Sequence, residues 1–104
     1  MAVVAISFTI AWDSSEDYSK RYSAIVSKIK SYSTAPNTWD HTTSFYLMET
    51  NHSATTIAAG VYTLSEFRSS KEEVLAINLS NKTDHQYYGA LNDTAKLDRL
   101  LKAR

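Results

Sequence analysis

The sequence predicts an α+β domain spanning residues 1–104, with elements in the order β-α-β-β-α-β and a C-terminal helical segment. Three observations predict it. The first ten or so residues alternate with a period of two, residues 15–33 repeat with a helical period, and a second helical stripe lies between two further β-rich runs. With 104 residues and 43% hydrophobic side chains, the chain is long and apolar enough for one core.

Residues 3–12 place Val4, Ile6, Phe8 and Ile10 on one face and Val3, Ala5, Ser7 and Thr9 on the other. That pattern is a strand with a strongly apolar side and a side of small residues. Asp13, Ser14 and Ser15 offer N-cap oxygens, and Glu16 and Asp17 favour the positive end of a helix. The helix is expected at 15–33, with Tyr18, Tyr22, Ile25, Val26, Ile29 and Tyr32 as its apolar stripe. Pro36 and Asn37 break the chain before a short strand at 38–42. Ser44–Glu49 reads as a second strand, apolar on both sides and therefore central.

Asn51-His52-Ser53 reads as a turn, with Ser53 the N-cap of a helix whose buried stripe is Ala54, Ile57, Ala58, Val61 and Leu64. Gly60 inside that helix costs about 1 kcal/mol relative to Ala, so either the helix is not as drawn or something approaches closely there. Arg68–Lys71 is a polar turn. Glu73–Leu79 alternates, with Leu75, Ile77 and Leu79 on one face, and a tail helix from Thr94 carries Leu97, Leu100 and Leu101. The order matches the ferredoxin-like pattern, a four-stranded antiparallel sheet with two crossover helices on one face. The other face stays open and must be covered by the tail, a partner or water.

Composition narrows the function. Cys is absent, which removes disulfide scaffolds, zinc ribbons, iron–sulfur sites and cysteine nucleophiles. Eleven basic residues balance eleven acidic ones, unlike a generic polyanion binder. No leader or membrane-length apolar run is visible, so a cytoplasmic address away from membranes is expected. The two glycines stand apart, so no phosphate-cradling loop is read, and no Gly-x-Ser-x-Gly is present.

Several short patterns resemble the SinR-like relatives of the small CRISPR-associated endoribonuclease family. They are Val4-Ala5-Ile6-Ser7-Phe8-Thr9-Ile10, Trp39-Asp40-His41 followed by Thr43-Ser44-Phe45-Tyr46-Leu47, Ser53-Ala54 with Ile57, and Glu73–Leu79. The resemblance implies a ferredoxin-like fold and a dimer. It also implies an Asp at the end of the first strand as a metal ligand, and Thr9 stands there instead. A threonine hydroxyl is not the anionic oxygen that Mg²⁺ or Mn²⁺ prefers. Asp13 is the remaining catalytic candidate, against an N-cap role.

Three sets of residues are candidates for contacts. Lys20, Arg21, Lys28 and Lys30 with Trp39, Tyr87 and Tyr88 could form a nucleic-acid surface, cations for phosphates and rings for bases. Thr55, Thr56, Ala59, Gly60 and Thr63 form an uncharged face on the second helix suited to a protein partner. Asp40-His41, His52 and Asp84-His85 lack metal-ligand spacing, so neither metal nor cofactor is expected. The leading expectation is a non-catalytic homodimeric interaction module that could also contact nucleic acid or another protein. Two alternatives stay open. A metal-dependent nuclease predicts Mg²⁺- or Mn²⁺-dependent cleavage that disappears in Asp13→Ala, and a small-ligand sensor needs an apolar pocket.

Overall fold

The alternation of the first residues becomes strand β1, Ala2–Thr9, in the computed structural model, which describes residues 1–12 and 14–104. The Asp13 candidate lies outside the described residues. Helix α1 spans Ser15–Lys30, ending three residues before the expected stop. Ser14 caps it, its side chain accepting the Asp17 amide at 3.3 Å. A 3-10 turn at Ala35–Asn37 precedes β2, which is only Thr38–Trp39 rather than 38–42. Strand β3 is Phe45–Thr50, α2 is Ala54–Tyr62 and β4 is Glu73–Asn78. Two further elements follow, strand β5 at His85–Gly89 and helix α3 at Thr94–Ala103.

The sheet has five strands in the order β2-β3-β1-β4-β5, every pairing antiparallel. The expectation of four strands is corrected by β5, a run of His, Gln and Tyr without apolar alternation. Its pairing is therefore supplied by β4 rather than announced by its own pattern. Val4, Ile6 and Phe8 of β1 face Ile25 and Ile29 of α1 and Ala54, Ile57, Ala58 and Val61 of α2, so both helices cover one side. Fully burying each Ile stabilises by about 1.5–3 kcal/mol relative to exposure. On β4 the core side is Val74, Ala76 and Asn78, so Leu75, Ile77 and Leu79 belong to the opposite side. Strand β3 is not covered on both sides as expected. Tyr46, Met48 and Thr50 are buried while Phe45 and Glu49 are exposed.

Helix α3 lies on that second side. Leu75 pairs with Tyr87 and Ile77 with His85, and directly opposed residues share a face. The Tyr87 hydroxyl donates to Asp98 of α3 at 2.8 Å, a bond that raises the Tyr87 pKa. The Arg104 guanidinium donates to His85 Nδ1 at 2.9 Å and to the Asn81 carbonyl at 2.9 Å. With Leu101 buried beneath it, α3 covers the β4–β5 half and leaves the β2-β3-β1 half without a helix.

The α2 N-terminus is held twice. Ser53 accepts the Thr56 amide at 3.0 Å, and the Asp84 carboxylate accepts the amides of Ala54 and Thr55 at 2.8 and 3.1 Å. Asp84 also accepts from the Thr55 hydroxyl and from the Asn78 amide group. Burial pushes the Asp84 pKa up, but the Asn78, Ala54 and Thr55 donors outweigh it, and the net shift is downward from 3.8. A carboxylate whose folded pKa is depressed contributes stability above its unfolded value and loses it as pH falls through the folded one. Stability should therefore decline below about pH 4, and Asp84→Asn should flatten that acid limb in urea titrations across pH. The same variant should lose about 0.5–2 kcal/mol at pH 7, the usual worth of a cap. An unchanged acid limb would assign acid sensitivity to other carboxylates.

Gly60 has a visible reason. A Cβ there would lie 1.8 Å from the Tyr32 hydroxyl oxygen and 3.1 Å from Lys28 Cε, so side chains of α1 and of the turn just after it occupy the space. Gly60→Ala gains about 1 kcal/mol of helix propensity but must displace the Tyr32 ring, for a net change within about 1 kcal/mol. The His52 ring protons should shift, because that ring stands 5.0 Å from Tyr32. A loss above about 3 kcal/mol would instead mean that Tyr32 cannot move aside.

Candidate protein-contact surface

The half of the sheet left bare is set by register. Val3 pairs with Glu49, Ala5 with Leu47, Ser7 with Phe45 and Trp39 with Leu47, which puts these side chains on the side away from α1 and α2. Trp39 is 46% exposed, Phe45 38% and Val3 37%. Leu47 is half-buried between them. Beside them Val3, Pro36, Trp39, Leu47 and Glu49 line a shallow depression of about 340 Å³. Apolar and aromatic side chains gathered on one uncovered face are the composition of an interface centre, and singly scattered apolar residues are not. Strand β2, at two residues, keeps the adjoining edge short, which limits indiscriminate strand pairing.

The nucleic-acid candidates are not brought together. Arg21 is buried, with its guanidinium bound to Glu72, to Asp17 at 2.9 Å and to the Ala11 carbonyl at 2.5 Å, so it belongs to the framework. Lys30 pairs with Asp40 at 2.7 Å, holding that carboxyl below its ordinary value, and Lys28 lies over the Tyr32 ring at 5.4 Å. Lys20 is exposed on the same helix. These cations sit on α1, across the sheet from Trp39. Tyr87 is bonded to α3 on the Trp39 side but at the opposite edge of the sheet, and Tyr88 points the other way, stacked on Tyr62 at 4.3 Å. Adjacent strand residues point to opposite faces, so Tyr87 and Tyr88 cannot form one platform.

The expected contact face on α2 keeps its threonines at the surface, and several of its groups also serve contacts within the chain. Gly60 meets Tyr32, and the Thr55 hydroxyl serves Asp84. The Thr56 hydroxyl accepts from Ser53, and the Thr63 hydroxyl donates to the Gly60 carbonyl at 3.0 Å. Thr55, Thr56 and Thr63 remain exposed, and Ala59 and Gly60 are half-buried. At the end of β1 the Thr9 hydroxyl donates to Glu73 at 3.3 Å, the residue opposite it in register.

Sequence reasoning missed one charged cluster. Glu72 is fully buried, and its carboxylate accepts from Arg21, from the Ala11 amide at 2.9 Å and from the Arg68 amide at 2.8 Å. Asp17 bridges Arg21 and Arg68, and the Arg21 hydrogen bond chiefly lowers its pKa. The cluster ties the β1–α1 connection to the α2–β4 connection. Glu72 is in phase with Val74, Ala76 and Asn78 on the core side, but only the returning β1–α1 chain brings it Arg21 and the Ala11 amide.

Among the described residues no group of three or more His, Asp or Glu side chains could hold a metal ion. No helix there is long and apolar enough to cross a membrane. Comparison of the chain with known protein families, curated proteins and solved structures finds no match.

Proposed function

We propose that this chain is a non-catalytic interaction module that associates with a second copy of itself through the bare β2-β3-β1 half of its sheet. The observation that carries the reading is the gathering of Val3, Trp39, Phe45 and Leu47 on one uncovered face. The ferredoxin-like reading is supported by the order β2-β3-β1-β4, its antiparallel pairings, and both crossover helices on one side, with β5 and α3 as additions. The nuclease alternative draws less support, because the hydroxyl at Thr9 is engaged by Glu73.

Light scattering tests the reading. At about 100 µM, well above the micromolar Kd that roughly 8 kcal/mol of binding gives, the mass should be twice the 11.7 kDa of one chain. Trp39→Ser should weaken association by about thirtyfold or more, the size of an interface hot spot, with the thermal midpoint of the monomer unchanged. A wild-type monomer at that concentration overturns the proposal.

A further inference from the structure

Only half of the second sheet face is covered, and the covering element is a helix of the same chain. Five strands spaced about 4.8 Å apart make a face roughly 24 Å wide, and a helix about 10 Å across fills two strands of it. The vacant three-strand part, β2-β3-β1, is therefore about 14 Å wide, room for one helix and not two.

Helix α3 also has apolar surface that its own sheet does not use. Leu101 and Leu97 point to the sheet, and at about 100° per residue Leu100 points sideways along it. Asp98, on the other flank, reaches Tyr87 on β5, while Arg104 reaches the Asn78 carbonyl of β4 at 3.3 Å. The Leu100 flank therefore borders the vacant half, and Leu100 is 53% exposed there. The outward side, away from the sheet, carries Ala95, Arg99 and Ala103, all exposed, with the exposed Lys96 and Lys102 flanking them. The vacant half offers the matching chemistry, with the Glu49 carboxylate lining the same depression as the Trp39 ring.

We infer that the occupant of the vacant half is the α3 helix of a second copy, exchanged reciprocally about a twofold axis running along the strands. This rests on the sheet-face reading above and names what fills the face. The two α3 helices lie side by side between the sheets, with Leu100 against its symmetry mate. Arg99 then lies over the other copy's Glu49 and Trp39 ring, where a cation gains from both the carboxylate and the ring face. The interface is isologous, so each contact occurs twice and each substitution counts twice.

Sedimentation equilibrium on the full chain decides it, with thermal melting to confirm that each variant folds. Leu100→Asp and Arg99→Glu, both at exposed positions, should each raise the dimer Kd by about tenfold or more. Glu49→Lys should weaken the dimer similarly, and combining it with Arg99→Glu should restore most of the loss through the reversed pair. A dimer that Trp39→Ser weakens but the Leu100 and Arg99 variants leave unmoved overturns this inference while the sheet-face reading stands. A wild-type monomer overturns both.

Discussion

Arg21→Leu is expected to lower the stability of the chain by about 3–5 kcal/mol, the cost of leaving one member of a buried ion pair unpaired. The residue at risk is Glu72, fully buried, which would keep the Ala11 and Arg68 amide donors but lose its cation. The Ala11 carbonyl would lose its guanidinium donor as well, loosening the chain between β1 and α1. The double variant Arg21→Leu/Glu72→Leu should recover much of the loss, because removing both charges removes the desolvation penalty along with the attraction. Urea unfolding of the three variants measures this directly. If the double variant were no more stable than Arg21→Leu alone, the amide bonds to Glu72 would carry the stability and the ion pair little of it.

Gly89→Ala is expected to cost about 2–4 kcal/mol, combining backbone strain with overpacking. Gly89 has φ of +106°, a region L residues rarely adopt, and a Cβ there would lie 1.9 Å from the Glu72 carbonyl oxygen. That carbonyl accepts the Ala90 amide at 2.9 Å, so it cannot retreat without breaking the end of the β4–β5 ladder. The loss should fall first on β5 and on α3 docked over it. Amide exchange at residues 85–90 should accelerate more than exchange in β1. A stability change below about 0.5 kcal/mol would mean that the backbone relaxes to accept the methyl group.

The elements that could be read from the chain are those whose signals are local. Ser14 and Ser53 announce their helices because a cap is made within three residues. Val4, Ile6 and Phe8 announce a core face because a strand alternates with a period of two. Gly60 signalled either an imperfect helix or a close approach, without naming Tyr32, whose hydroxyl arrives from the turn after α1. Strand β5 went unread because His85–Gly89 takes its pairing from β4 and lacks a pattern of its own.

The candidate surface was legible only in part. Trp39 stood out as a ring and the open sheet face was expected, but the cations grouped with Trp39 lie on the opposite side of the sheet. Arg21 is taken into the interior, since burial of a long charged side chain depends on distant partners. The uncharged run on α2 pointed to a partner; within it Gly60 makes room for Tyr32 and the Thr55 hydroxyl serves Asp84.

The chain alone determined that alternating strands and two capped helices would leave one sheet face exposed. That follows from periodicity and capping, which act over a few residues. The tertiary structure decided which part of that face stays bare, because α3 is placed by Asp98 and Arg104 meeting Tyr87 and His85 across the sheet. It also buried Glu72 and left Glu73 half-buried, with Arg21 and the Ala11 and Arg68 amides brought to the buried carboxylate. Contacts between residues far apart in sequence are set by docking and register, and no local propensity encodes them.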